Sequence, residues 1–335
     1  MRFALQLIRL VGPLCAMTAT VPVLAQDDPC QPRDGLSTCF AADNLWPHVG
    51  NSRWLSLAST QTTPDGAVAV GLVPTYIHKP VGLTIASPDP DGTTVYAIEH
   101  AFSTTVLIGV GLTERLQFQL GMPMVLYQEG AGKQDVTGAS ETLTRSAVGD
   151  ARFGVAFTAI ERGRGDTGPG LAVRFDMAAP TAPPAAYAGY PSATYAPGAT
   201  LDYRGDRFAV GVDVGARLRE SAKVAGAFLG SQVSVAIGGS YDILEDDWLS
   251  ANLEANALVG LVNQLDPTLS GVIDPHIPAE WMASFRTAAL ADGSVAVSLG
   301  GGSFIPTAET SAVTTPLFRL ALGLQYTSDP FVADD

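Results

Sequence analysis

The sequence predicts an all-β protein, a 12-stranded antiparallel transmembrane β-barrel, and three observations carry this prediction. Apolar and polar residues alternate with a period of two in many stretches, and helical spacing is not sustained after the first 25 residues. Long and short connections alternate between these stretches. A strand sends successive side chains to opposite faces, so each stretch has one apolar face and one polar face. Bacterial outer-membrane barrels combine an even strand number, short periplasmic turns and longer outer loops.

The alternation is clearest in residues 316–328. The large apolar set is Phe318, Leu320, Leu322, Leu324 and Tyr326. The residues between them, Arg319, Gly323 and Thr327 among them, are small, polar or charged. This pattern predicts a strand whose apolar face meets lipid.

Twelve segments of this kind follow one another along the chain. They are 67–76, 95–112, 115–127, 147–160, 169–179, 194–203, 207–219, 230–243, 248–260, 279–290, 293–303 and 315–328. Most reach the roughly 9–11 residues that a tilted strand needs to cross a bilayer. With the first strand starting in the periplasm, every long connection falls outside the cell, and both termini fall in the periplasm.

A soluble β-sandwich is the competing interpretation, because its strands also alternate. Its outer face should be rich in Lys and Glu, whereas the only lysines, Lys79, Lys133 and Lys223, fall in predicted long connections. Charged residues make up only 16% of the chain, and glycine is abundant. These features favour a barrel surrounded by lipid.

The ends of the chain indicate export. Residues 1–25 have the basic start, apolar stretch and small final residues of a secretory signal peptide. We expect a periplasmic N-terminal segment over 26–66, the barrel over 67–328 and a periplasmic tail over 329–335. The net charge of −14 excludes nucleic acid as a partner, since phosphates need basic residues. Cys30 and Cys39 form a close pair in an exported chain, which predicts a disulfide.

Several stretches resemble known outer-membrane families. These are FAADNLWPHVGNSRWLSLAST, GLTERLQFQLGMPMVLYQ, AVGDARFGVAF and the turn YRGDRF. They resemble the N-terminal barrel of OmpA-family outer-membrane proteins from myxobacteria and related groups. They are also similar to outer-membrane transporters of the phenol-degradation (MetA-pathway) type. The resemblance implies a barrel and carries no catalytic signature.

An enzymatic function has little support in the sequence. A lipid-cleaving barrel needs a histidine and a serine two residues apart on one outward strand face, but the residue that follows His100 at this spacing is Phe102. The other histidines, His48, His78 and His276, fall in the N-terminal segment or in predicted loops. No cofactor or metal ion is predicted.

Six charged residues fall near the middle of their strands on the predicted inward face. They are Arg152, Arg174, Asp176, Asp213, Glu254 and Arg286. Three arginines and three acids could line a pore and set its selectivity, or they could pair and close the lumen. Twelve strands lie between filled and water-filled barrels, so strand number does not decide between these readings.

The leading functional prediction is a narrow passive channel for small solutes in the bacterial outer membrane. The alternative is a structural or surface-interaction barrel with a closed, ion-paired lumen, and a lipid-modifying enzyme is a third reading. Outer-membrane lipid and lipopolysaccharide are the expected surroundings. The sequence leaves open the oligomeric state, and whether residues 26–66 plug the lumen.

Overall fold

The computed structural model describes residues 30, 37–50, 52–85, 93–133, 142–162, 167–224, 227–244, 248–261, 277–306 and 314–329. The predicted signal peptide, residues 1–25, lies outside the described residues, as do parts of the 26–66 segment and most of the predicted tail. No helix in the described part of the chain is long and apolar enough to cross a membrane.

Twelve strands form one closed antiparallel barrel, which confirms the predicted fold. They are β1 (Val68–Ile85), β2 (Thr93–Thr113), β3 (Leu116–Glu129), β5 (Arg152–Ile160), β6 (Gly168–Ala178), β7 (Thr194–Arg204), β8 (Phe208–Arg217), β11 (Gln232–Leu244), β12 (Leu249–Gly260), β13 (Ala279–Leu290), β14 (Val295–Phe304) and β15 (Phe318–Thr327). Each pairs with its neighbours, and β1 closes the barrel by pairing with both β2 and β15. Short strands β4 (Ala147–Val148), β9 (Ala222–Val224) and β10 (Ala227–Leu229) lie in the long connections.

The two ends of the barrel differ, as the connection lengths predict. We call the end with connections 114–115, 161–167, 205–207, 245–248 and 291–294 the short-turn end. We call the opposite end, with connections 86–92, 130–151, 179–193, 218–231, 261–278 and 305–317, the long-loop end. The first strand begins and the last strand ends at the short-turn end.

The first strand is longer than predicted. β1 continues beyond residue 76 to Ile85, so Lys79 and His78 lie in a strand and not in a loop. Pro80 lies within this extension and lacks an N–H donor for the strand ladder. The structure accommodates it at register shifts between His78 and Gly82, with Lys79 at φ 52°. A bulge therefore preserves the pairing of β1 with β2 across the proline.

The outer face of the barrel is apolar. Leu253 and Leu299 have exposed fractions of 60% and 64%, and Phe285 and Val212 are also exposed. Their strand neighbours point inward and are shielded, so the alternation separates a lipid-facing surface from a polar interior.

Residues 37–66, which we call the inner segment, lie inside the barrel and pass from one end to the other. At the long-loop end, the N–H of Ala42 donates to the carbonyl oxygen of Tyr187 over 2.9 Å. At the short-turn end, the N–H of Thr63 donates to Oε1 of Gln117 over 2.7 Å, and the chain then enters β1. The sequence placed this segment in the periplasm and left open whether it plugs the lumen. Its described residues occupy the lumen.

Three apolar clusters fix the inner segment at successive depths. Phe40 packs with Ile98 and Tyr187 near the long-loop end. Leu45, Val49 and Leu55 pack against inward-facing apolar residues of the barrel wall. Trp54 and Leu57 pack near the short-turn end against Ala209 and Ala236. The barrel therefore gains its core from a part of the chain that precedes its first strand.

The predicted disulfide is confirmed. Cys30 and Cys39 are bonded, with their Cα atoms 5.2 Å apart. Thr38 accepts a hydrogen bond from the N–H of Ala185, so Cys39 lies at the long-loop end.

Candidate functional site: the occupied lumen

Buried acids of the barrel wall hold the main chain of the inner segment. Glu254 on β12 accepts hydrogen bonds from the N–H groups of Leu55 at 3.0 Å and Ser56 at 2.7 Å, and from the Ser56 hydroxyl. Its side chain is only 2% exposed. A carboxylate with several N–H and O–H donors in a low-dielectric lumen makes strong, charge-assisted bonds. Glu254 therefore acts as an anchor for the segment.

Two ion pairs tie the inner segment and a short turn to the wall at the short-turn end. Nη1 of Arg53 lies 2.5 Å from Oδ1 of Asp242, and both side chains are buried. Arg162 pairs with Asp202, and both contact the hydroxyl of Thr60. Opening this end of the lumen would have to break these contacts.

A third set of charges lies deeper in the lumen. Arg319 on β15 donates from Nε to Glu280 over 2.9 Å and from Nη1 to Asp43 of the inner segment over 2.8 Å. Arg174 and Asp213 form a two-fold hydrogen-bonded pair on the wall, with both N···O distances at 2.6 Å.

The structure places all six predicted lumen residues on the inward face. Arg174 pairs with Asp213 and lies 3.8 Å from Asp176, which also accepts a hydrogen bond from Gln119. Glu254 binds the inner segment, as described above. Arg286 is buried and its carbonyl oxygen accepts a hydrogen bond from Ser250.

Arg152, the remaining member of the six, stacks on an aromatic ring instead of pairing with an acid. Its guanidinium lies 4.2 Å from the centre of the Trp46 ring, and that of Arg217 lies 4.8 Å from the same ring. Arg219 lies 3.5 Å from the centre of the Tyr190 ring. Such contacts suit arginines in partly dehydrated surroundings.

This part of the lumen is rich in arginine. His48 lies on the inner segment, two residues after Trp46. It lines one cavity with Arg174 and Arg217 and another with Arg152.

Sequence reasoning missed several residues of the lumen. Arg319 and Glu280 occupy inward positions of their strands, so the alternation would have identified them. Asp43, Trp46 and Arg53 lie in an irregular segment, where no periodic signal marks the direction of a side chain.

The wall and the inner segment do not fill the lumen completely. One cavity of about 70 Å³ is lined by Asp43, Trp46, Arg152 and Arg217 among others. A second, of about 50 Å³, lies on another side of Trp46 and reaches His48 and Arg174. The lumen therefore contains polar space next to the inner segment.

The histidines of the barrel wall, His78 and His100, lie next to each other and to Tyr76. His100 lies close to Tyr76 and His78, with Nδ1 2.6 Å from the Tyr76 hydroxyl oxygen. Phe102 is 43% exposed on the same outer face. Within the described residues, no three His, Cys, Asp or Glu side chains are grouped so that they could hold a metal ion.

Comparison with solved structures shows that the fold is similar to that of outer-membrane barrel proteins. The COG4313 outer membrane channel from Pseudomonas putida F1 is similar with a TM-score of 0.59 and 15% identity, over 82% of this chain and all of that one. The NanC porin gives 0.45 and 7% identity, over 77% of this chain and 98% of that one. The Pseudomonas putida toluene transporter TodX gives 0.37 and 12% identity, over 88% and 96%. No protein-family model and no curated protein sequence matches the chain.

Proposed function

We propose that the protein is a narrow passive channel for small solutes in the bacterial outer membrane, and that the inner segment keeps it closed at rest. The observation that carries the proposal is the lumen itself. It holds polar cavities beside a separate stretch of chain that is bound to the wall by side-chain contacts. The likeness to the COG4313 outer membrane channel supports the same reading. The resemblance to OmpA-family and MetA-pathway barrels stays a prediction.

The contacts of the inner segment suit a removable obstruction. Its described residues form one isolated bridge, between Ala41 and Ala188, and no strand with the barrel wall, so its displacement would leave all twelve barrel strands paired. The cost of displacement combines the three apolar clusters with a few polar anchors, chiefly Glu254, Asp242 and Arg319. Breaking one buried ion pair by removing one partner costs about 3–5 kcal/mol, so a single substitution should shift the balance between closed and open lumen.

A closed structural barrel is the second candidate. The pairs Arg174–Asp213 and Arg319–Glu280 favour it, since paired charges close a lumen as well as they line one. The two candidates differ in whether loosening the inner segment produces conductance.

Planar-bilayer recording of the wild type and of Asp242→Asn separates them. Asp242→Asn removes the charge of the Asp242 carboxylate that Arg53 contacts, so we expect rare openings in the wild type and more frequent openings in the variant. Glu161→Gln is the matched control, because the Arg115–Glu161 pair is exposed and such pairs contribute about 0–1 kcal/mol. Folded but silent preparations of both wild type and Asp242→Asn would favour the structural barrel.

The orientation of the barrel belongs to the same proposal. Short turns face the periplasm in this class of barrel, so the long-loop end should face outward. Ser146→Cys, exposed at the long-loop end, should react with an impermeant maleimide on intact cells. Asp206→Cys, exposed at the short-turn end, should react only after lysis. The opposite pattern would invert the topology.

A further inference from the structure

Three polar groups without a hydrogen-bond partner among the described residues line the 70 Å³ cavity. They are Nη1 of Arg152 and the hydroxyls of Thr104 and Thr194. Thr194 is 1% exposed and Thr104 is 6% exposed. Buried polar groups nearly always have partners, and leaving one unpaired is costly. Their meeting at one cavity indicates that something polar occupies it.

The charges around the cavity identify the sign of the occupant. Arg152, Arg217 and Arg219 line it, together with the acids Asp43 and Asp150. No carboxylate among the described residues lies within salt-bridge distance of Arg152 or Arg217. Their aromatic contacts with Trp46 lower the cost of burial. Nη1 of Arg152 has no hydrogen-bond partner among the described residues, and Arg217 uses Nη2 to donate to the carbonyl oxygen of Asn44 over 3.1 Å, which leaves its other N–H groups for a ligand.

The acids nearest to Arg152 already have other partners. Asp43 binds Arg319 and the N–H of Leu45. Asp150 accepts hydrogen bonds from three main-chain N–H groups, at 2.8–3.1 Å. Asp176 is bound by Gln119. These carboxylates are therefore already engaged. The remaining N–H and O–H donors in the cavity lining suit an anion that binds from outside the chain.

The remaining lining identifies the chemical class. Ile77, Met124 and Val125 give the cavity an apolar part beside its arginines and threonine hydroxyls. Arginine binds planar carboxylates through paired N–H groups, and a short alkyl chain suits the apolar wall. A bulky or strongly hydrated anion would leave that wall wet.

We propose that this cavity is a binding site for a small monocarboxylate with a short apolar tail, held by Arg152, Arg217 and the hydroxyls of Thr104 and Thr194. Such a solute would rest in the lumen beside Trp46. This solute class deepens the proposed function. Transport of the solute rests on the proposed channel, whereas its binding to the cavity can be measured separately.

Isothermal titration of the purified full-length protein in detergent tests the site with butyrate. Butyramide is the matched uncharged probe, and inorganic phosphate is an anion without a tail. We expect butyrate to bind at least about tenfold more tightly than either, because a charge-assisted pair and the buried tail each contribute. The proposal would be overturned if butyramide or phosphate bound as tightly as butyrate. It would also be overturned if butyrate did not bind, which would mean that water fills the cavity.

Three variants locate the binding. Arg152→Gln and Arg217→Gln should each weaken butyrate binding about tenfold or more, whereas Arg115→Gln at the exposed rim should not. Thr194→Val should keep the melting temperature without butyrate, since its hydroxyl is unpaired, and should reduce the upward shift that butyrate gives. Binding unaffected by all three variants would place butyrate elsewhere. Butyrate binding without bilayer conductance would contradict the proposed channel function but not this site. Conductance without butyrate binding would contradict this site but not the channel function.

Discussion

The indole of Trp54 lies against Gly238 on β11, and a Cβ atom at residue 238 would stand 2.6 Å from the indole Nε1. That Nε1 donates to the carbonyl oxygen of Gly239, the next residue, over 3.3 Å. Gly239 faces the other side of the wall, where a Cβ would meet no atom within 4 Å. Two adjacent glycines thus have opposite requirements, because one borders the inner segment and the other borders lipid.

Gly238→Ala should displace Trp54 and destabilise the inner segment by about 1–3 kcal/mol, since over-packing a filled interior forces neighbouring groups to move. The blue-shifted emission expected of an enclosed indole should move to longer wavelength. Gly239→Ala is the control and should change neither the unfolding midpoint nor the emission. Equal effects of the two substitutions would mean that Trp54 does not rest on this wall.

Leu253→Arg should destabilise the barrel by about 2–4 kcal/mol in a bilayer-refolding titration, because it places a cation on the lipid face near the middle of β12. Leu112→Arg is also on the exposed face, but close to the short-turn end of β2, and should cost about 0–1 kcal/mol. A cost that does not depend on depth would argue against a bilayer around this surface.

Gln119→Leu should test how far Asp176 depends on its neutral partner. Gln119 donates a hydrogen bond of 2.5 Å to Asp176, and both side chains are buried. Loss of one donor to a buried carboxylate should cost about 1–3 kcal/mol of stability. Gln117→Leu removes the acceptor of Thr63 and should instead loosen the inner segment, seen as faster proteolysis at residues 37–66. These roles would be contradicted if Gln119→Leu accelerated proteolysis of the inner segment and Gln117→Leu did not.

The barrel was predictable because its signal is local. A period of two sets the face of each strand, so the inward positions of Asp213 and Glu254 follow from the sequence alone. The alternation also marked Arg319 as polar-facing, yet its partner Asp43 lies 276 residues away in an aperiodic segment. The path of the inner segment depends on such tertiary contacts, which no local pattern encodes. The sequence did not predict the extension of β1, because a β-bulge accommodates Pro80 and no local sequence pattern marks this bulge.

The passage of the inner segment through the lumen has a consequence for the order of assembly. The barrel is closed between β1 and β15, where Ala69 pairs with Thr327, so closure requires β15. The inner segment precedes β1 and is synthesised long before the seam can form. During assembly, the strands must therefore close around the inner segment, or the inner segment must enter the closed barrel from the short-turn end. By either route, the pairing of β1 with β15 is the step that determines whether the closed barrel contains the inner segment.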